Sequence, residues 1–216
     1  MAGAYAIDWD FISNKEGGTK TKAYVPVCTA KSVINPENRT CFGKPTGTVI
    51  GKSGVTIAAG VDLGQMNEHE FSKLKLPAHL ETLLKPFVGK KKDEAVSSLQ
   101  EFETQHNTSV QITMTDAKII NQRLKEKTVG VLAKNFDRDS NVKFDELPAE
   151  AQTALASLAF QYGPNFHAKE NDFLQKVWDG YTKQDYNALA NTLENAPEYK
   201  GRRKEEAAML KGMGYR

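Results

Sequence analysis

The sequence lacks the features that mark membrane, secreted and polybasic proteins. No apolar run approaches the roughly 18 residues that a membrane-spanning helix needs, and the mean hydropathy is −0.54. The first ten residues carry two acids and no basic residue, so we expect no secretory signal peptide. The 29 Lys and Arg nearly balance the 27 Asp and Glu, which leaves a net charge of +2. This balance argues against a dedicated nucleic-acid-binding or polybasic membrane protein.

The motifs of common cofactor and metal chemistry are also missing. The run GKSGVT contains glycines and a lysine, but its lysine comes too early for a phosphate-binding loop and no helix follows. The four histidines (69, 79, 106 and 167) are scattered and form neither an HExxH zinc motif nor a triad-like cluster. We therefore expect no cofactor and no metal.

Cysteine is scarce, with only Cys28 and Cys41 in the chain. Twelve residues rich in Pro, Asn, Thr and Lys separate them, and no His or further Cys lies nearby at the spacing of zinc ligands. Two interpretations remain open from these residues: two free thiols, or one disulfide that closes a loop.

What is present is ordinary globular composition, with 39% hydrophobic residues in 216. That length suits one compact domain or two small lobes. Residues 9–18 predict a short helix that ends at the pair Gly17 and Gly18. Residues 20–64 are rich in Gly, Thr and Val and predict a small antiparallel hairpin, with strands at 47–50 and 55–58 around a turn at 51–54.

From Gln65 onward the apolar residues recur at the three- and four-residue spacing of helices. Helices are predicted over 92–106, 115–136 and 148–162, then at about 171–180, 183–193 and 201–211. We predict a single α+β domain over residues 1–216. It comprises an N-terminal helix over about 1–19, a β-lobe over 20–64 with the cysteine-bearing insertion, and a helical lobe over 65–216.

Two segments carry candidate chemistry. Glu16 ends the first helix, and GVTIAAGVDLG holds Thr56 and Asp62 six residues apart. Taken singly, a glutamate at a helix end is usually solvated, and a Thr and an Asp in a hairpin usually belong to a turn. Taken together they suit glycoside hydrolysis, which needs one carboxylic acid to protonate the leaving oxygen and a second group on the opposite face of the sugar.

At these residues the sequence resembles the phage-type lysozymes. FISNKEGG resembles their first-helix motif, in which the Glu is the general acid, and GVTIAAGVDLG resembles their T-I-G-x-G hairpin. ALASLAFQYGPNF resembles the L-x-S-F-x-F-N-x-G helix, and GRRKEEAAML resembles the closing G-L-x-x-R-R-x-x-E helix. The motifs occur in the family's order from about Phe11 to Leu210. The placement of the Asp six residues after the Thr resembles that in the pesticin-like muramidases, a bacteriocin branch of the family.

The resemblance implies a lysozyme-like fold with an active-site cleft between the small β-lobe and the larger helical lobe. It implies that Glu16 is the general acid, Thr56 a water-positioning hydroxyl and Asp62 the second carboxylate. In the phage enzymes the catalytic Asp precedes the Thr, whereas here no Asp lies between Glu16 and Asp62. Glu37 is the one acidic alternative in that interval, and we interpret it as part of a solvated loop.

Further residues follow from the same motifs. Gln161 and Tyr162 are expected to line the floor of the cleft, with packing at the helix end as the alternative. Arg202 and Arg203 are expected to buttress the closing helix. The proposed roles require that Glu16 stays protonated near neutral pH and that Asp62 stays ionised.

The resulting prediction is a muramidase that cuts the β-1,4 bond between N-acetylmuramic acid and N-acetylglucosamine in peptidoglycan, within a toxin or effector domain. The alternatives are a phage endolysin with the same activity, a non-catalytic wall-binding module, and a nucleic-acid-binding helical domain suggested by Lys90, Lys91, Lys92 and the basic C-terminus.

The expected partner is the peptidoglycan glycan strand, with a cognate immunity protein as the further partner that a toxin implies. We expect a monomer that binds no nucleic acid and inserts in no membrane. It would act in the periplasm or cell wall of a target bacterium. Because disulfides persist there, we predict that Cys28 and Cys41 are joined.

Overall fold

A computed structural model describes residues 5–15, 18–38 and 40–215, with the backbone alone at 214 and 215. Three strands in this part of the chain form an antiparallel sheet in the order β1-β2-β3: β1 (Lys20–Tyr24), β2 (Thr56–Ala58) and β3 (Val61–Asp62). The described α-helices are α1 (Trp9–Lys15), α2 (Ala30–Ile34), α3 (Glu68–Ser72), α4 (Ala78–Leu84), α5 (Lys92–His106), α6 (Met114–Asp139), α7 (Ala149–Tyr162), α8 (Asp172–Thr182), α9 (Tyr186–Glu194) and α10 (Lys200–Lys211). The predicted α+β class is confirmed.

The chain divides into two compact units. Residues 16–124 form one, which we call the sheet unit, and residues 1–15 together with 125–216 form the other, which we call the helical unit. Helix α6 passes from the first to the second after Leu124. The chain therefore enters the helical unit twice.

The apolar core of the sheet unit extends well beyond the sheet itself. Val55 and Ile57 are fully buried, and α4 and α5 add Leu80, Leu84 and Ala95 to the same cluster. A sheet of three short strands cannot bury its own apolar face. For this reason the helices that follow Gly64, where we had placed the end of the β-lobe, belong to the same compact unit.

Of the two strands of the predicted hairpin, the one at 55–58 is confirmed as β2, and the one at 47–50 is wrong. Residues 47–50 form no strand, and Val49 makes only an isolated bridge with Val27. The partner of β2 is β3, with Ile57 opposite Val61. Three residues, Ala58, Ala59 and Gly60, lie between this pair, and Gly60 adopts a left-handed conformation with φ of 78° that glycine tolerates.

The insertion between β1 and β2 is built around the two cysteines. Among the described residues of 25–52, only Cys28 and Cys41 are buried, and a disulfide joins them with their Cα atoms 5.6 Å apart. The large apolar side chains Val27, Ile34 and Phe42 are exposed. The disulfide thus takes the place of an apolar core in this segment.

The helical unit is organised around α7. Its residues from Ala151 to Ala159 are all buried, and α1 and α10 both pack against it. Pro148 precedes the helix, and Gly163, with φ of 87°, ends it as predicted. None of the helices in the described part of the chain combines the length and the apolarity needed to cross a bilayer.

Candidate active site

Thr56 and Asp62 lie directly opposite each other in the β2–β3 pair. Residues opposite each other in an antiparallel pair project from the same face, with Cβ atoms about 4.5–5.5 Å apart. Thr56 and Asp62 are six residues apart in the sequence, and the turn between Ile57 and Val61 makes them a cross-strand pair. The structure brings two of the three predicted catalytic residues together.

The hydroxyl of Thr56 has a defined hydrogen-bond direction. The residue is 3% exposed, and its Oγ1 donates to the carbonyl oxygen of Gly54 at 3.2 Å. A hydroxyl carries one hydrogen, so Oγ1 can face any further partner only as an acceptor.

The carboxylate of Asp62 is held by several donors. Its Oδ1 accepts from the backbone N–H groups of Gly54 at 3.0 Å and Gly64 at 2.9 Å. Its Oδ2 lies 3.2 Å from the same Gly54 nitrogen and accepts from Nε2 of Gln65 at 3.3 Å. An ionised carboxylate only accepts hydrogen bonds, so this set of donors suits the ionised form that the proposed role requires.

Two glycines make this arrangement possible. A Cβ at Gly54 would lie 2.4 Å from the carbonyl oxygen of Lys90 and 2.6 Å from the Cα of Gly64. A Cβ at Gly64 would also lie 2.4 Å from the Lys90 oxygen. Both glycines are therefore needed for close backbone approach, a role that the predicted turn at 51–54 does not include.

The turn of the hairpin is tied to a helix of the same unit. The side-chain oxygen of Asn121 on α6 accepts from the backbone N–H of Ala59 at 3.0 Å. Asn121 has no local sequence signal, because it is 62 positions from its partner and belongs to no motif.

Glu16, the predicted general acid, lies outside the described residues. Glu37, the acidic alternative, is exposed in the insertion, as expected for a solvated loop. No group of three or more His, Cys, Asp or Glu side chains placed to hold a metal ion occurs within the described ranges.

Gln161 and Tyr162 end α7 in the helical unit, and both are half-buried. The side-chain oxygen of Gln161 accepts from Nη1 of Arg202 at 3.1 Å. The ring of Tyr162 lies 5.5 Å from the guanidinium of Arg203 and packs edge-on against Tyr199. Burial raises the pKa of Tyr162. Both side chains thus have partners on or next to α10.

One family model matches most of the chain. It is that of pesticin, described as a bacterial toxin homologue of phage lysozyme, C-terminal part, and it matches residues 6–187. The chain belongs to the pesticin family. The resemblance drawn from the motifs is confirmed, and the α+β fold is lysozyme-like. No curated protein matches the chain.

The pesticin match contains Thr56, Asp62 and α7 but ends before α10. Helix α10 is nevertheless tied to α7 by a buried polar network. Arg202 donates from Nε to Oγ of Ser157 at 2.9 Å and from Nη2 to the Ser157 carbonyl at 3.1 Å. The hydroxyl of Ser157 in turn donates to Glu206. Arg202 therefore buttresses the closing helix through its bonds to α7.

Arg203 and Glu206 are both fully buried in this pesticin-family domain. Nη1 of Arg203 lies 2.9 Å from Oε2 of Glu206, so the two side chains form an ion pair. The geometry between these two atoms does not meet the criteria of a hydrogen bond. Burial raises the pKa of Glu206 to about 7, against the opposing charge of Arg203. Burial also lowers the pKa of Arg203. The R-R-x-x-E spacing was the sequence signal for this network.

Proposed function

We propose that this pesticin-family domain is a muramidase that hydrolyses the β-1,4 bond between N-acetylmuramic acid and N-acetylglucosamine in peptidoglycan. The observation that carries the proposal is the cross-strand pair of Thr56 and Asp62. Glu16, which directly follows α1, is the proposed general acid for the leaving oxygen.

The hydrogen bonds of the pair suit the capture of a water molecule. Thr56 Oγ1 has its hydrogen directed to Gly54 and can only accept, and the carboxylate of Asp62 also only accepts. Two acceptors on one face would bind both hydrogens of a water and leave a lone pair for the anomeric carbon. The C–O bond to the leaving sugar breaks as the water oxygen bonds to that carbon. Glu16 gives its proton to the leaving oxygen, and Asp62 takes one from the water.

This proposed mechanism inverts the anomeric centre. It requires that the carboxyl groups of Glu16 and Asp62 lie about 6.5–9.5 Å apart, which leaves room for the water between them. The firm hold of backbone N–H groups on Asp62 also disfavours its use as a nucleophile that bonds to the sugar.

The test is lysis of purified sacculi by Glu16→Gln and Asp62→Asn, with Glu37→Gln as the matched control. An amide can neither donate the required proton nor accept one from water, so the first two variants should lose nearly all activity. Glu37→Gln should keep it. More than a few per cent of wild-type activity in Glu16→Gln would contradict the assignment of the acid.

The bond is identified by mass spectrometry of the released fragments. Reducing-end muramic acid is the expected product, and a reducing-end glucosamine would contradict the proposal. Binding to sacculi without any released fragment would instead indicate a wall-binding module.

We further propose that the domain acts as a toxin on the wall or periplasm of a target bacterium, as a monomer with a cognate immunity protein. A phage endolysin with the same activity is the alternative role. Three of the C-terminal cations that suggested a nucleic-acid-binding surface are engaged within the protein. Of the C-terminal cations, Arg203 is buried, Arg202 is bonded to α7, and Lys211 pairs with Glu194 at 2.7 Å.

A further inference from the structure

Gln65 lies beside the proposed catalytic pair. Its side chain is exposed and donates two hydrogen bonds. Its Nε2 donates to the carbonyl oxygen of Lys52 at 2.7 Å and to Oδ2 of Asp62 at 3.3 Å. Both partners are acceptors without a hydrogen to give, so the NH₂ group and not the carbonyl of the amide must face them. The side chain therefore bridges the Lys52 backbone to the carboxylate.

The two oxygens of Asp62 are held unequally. Oδ1 accepts two backbone N–H bonds, at 3.0 Å and 2.9 Å. Oδ2 has only the longer 3.2 Å contact to the Gly54 nitrogen, which it shares with Oδ1, and the bond from Gln65. Gln65 is the one side chain in the described ranges that donates to this carboxylate. Oδ2 is thus the oxygen with capacity left for a water.

We propose that Gln65 is a positioning residue, which holds Oδ2 of Asp62 in the direction from which it receives the proton of the attacking water. The proposal rests on the proposed catalytic role of Asp62. The bond to Lys52 fixes one hydrogen of the planar amide, so the other hydrogen is aimed at Oδ2.

The first variant is Gln65→Met, which keeps the length of the side chain and removes both N–H groups. Oδ2 then loses its side-chain donor, while the backbone N–H groups of Gly54 and Gly64 still hold Oδ1. We expect kcat on sacculi to fall roughly tenfold with little change in KM.

The second variant is Gln65→Glu, which places a carboxylate beside Oδ2. Like charges at this distance disfavour the ionised form of both groups, so the acid limb of the kcat/KM pH profile should move up by about one pH unit. Gln100→Glu is the matched control. Gln100 is exposed on α5, about 12 Å along the helix from its first residue, Lys92, which follows Lys90 beside Gly54 and Gly64. It should leave the acid limb in place.

A merely structural role would lower thermal stability in both variants without moving the acid limb. An unchanged kcat in Gln65→Met together with an unmoved limb in Gln65→Glu would overturn the proposal, provided that Asp62→Asn is inactive. Activity in Asp62→Asn would show instead that the proposed role of Asp62 is wrong, and the role of Gln65 would be wrong with it.

Discussion

Glu206 is out of contact with water in the helical unit, and its carboxylate faces Ser157 and two arginines. Burial raises its pKa from 4.5 to about 7. Between these two values the folded protein holds a proton on Glu206 that the unfolded chain has released. The stability contributed by this group is therefore fully present below about pH 4.5 and is lost as the pH rises through 7.

We predict that Glu206→Gln removes this part of the pH dependence. The wild type should lose on the order of 2 kcal/mol relative to the variant between pH 5 and pH 8, since one unit of pKa difference corresponds to about 1.4 kcal/mol. The free energy of urea unfolding at several pH values measures it. Glu205→Gln, at an exposed carboxylate that pairs with Lys15, is the control and should leave the slope unchanged. Parallel curves for wild type and Glu206→Gln would contradict the prediction.

Gly54 is a second residue whose importance lies in a backbone contact. Because Lys90 offers a carbonyl oxygen 2.4 Å from the position of a new Cβ, Gly54→Ala should lower the free energy of unfolding by about 1–3 kcal/mol. Gly130→Ala in α6 is the control, since a Cβ there meets nothing within 4 Å. Alanine is the better helix former by up to about 1 kcal/mol, so this control should be more stable. Equal stability of Gly54→Ala and the wild type would refute the steric argument.

At the scale of elements, the helices were largely predictable and the sheet was not. The apolar periodicity over α5, α6 and α7 gave their bounds closely, with Pro148 and Gly163 as further signals. The hairpin was misplaced because glycine pairs occur on both sides of β2, and composition does not tell which turn joins paired strands. Strand β1 was missed, since only one of its five residues is buried.

The candidate site divides in the same way. Thr56 and Asp62 could be predicted because their spacing along one hairpin is local. Gln65 and Asn121 could not, because their roles depend on contacts with Lys52, Asp62 and Ala59 that only the folded chain brings within reach.

The insertion between β1 and β2 should depend on its disulfide for order. With no other buried residue among those described over 25–52, reduction leaves this segment without a core. We predict that reductant lowers the free energy of unfolding by about 3 kcal/mol and speeds amide hydrogen exchange over residues 26–50. The double variant Cys28→Ser, Cys41→Ser should have the free energy of unfolding and the exchange rates of the reduced protein. Reductant should change neither quantity in this variant. About two free thiols per chain, titrated in denatured but unreduced protein, would refute the bridge.

At the scale of the whole molecule, each compact unit has its own apolar cluster. Every residue of one cluster, from Ile7 and Ile12 to Leu210, belongs to the helical unit. Every residue of the other, from Ala23 to Ile120, belongs to the sheet unit. The N-terminal segment joins the first through bonds to α7, from the Ala6 nitrogen to Gln152 and from the Asp8 nitrogen to Thr153, both at 2.9 Å. This pairing across about 145 positions has no local sequence signal.

Two separate cores predict two regions that open independently. Leu80 on α4 and Leu158 on α7 are both fully buried, one in each cluster, and each replacement by Ala should lower the stability of its unit by about 2–5 kcal/mol. Because the lost contacts lie within one unit, we predict that Leu80→Ala speeds amide hydrogen exchange in β2 and α5 far more than in α7. Leu158→Ala should do the reverse. The exposed positions Thr82 on α4 and Lys176 on α8 supply the control variants Thr82→Ala and Lys176→Ala, which should leave exchange nearly unchanged. If either core variant lost protection equally in both units, the two clusters would unfold as one cooperative body, since opening of one would then always open the other.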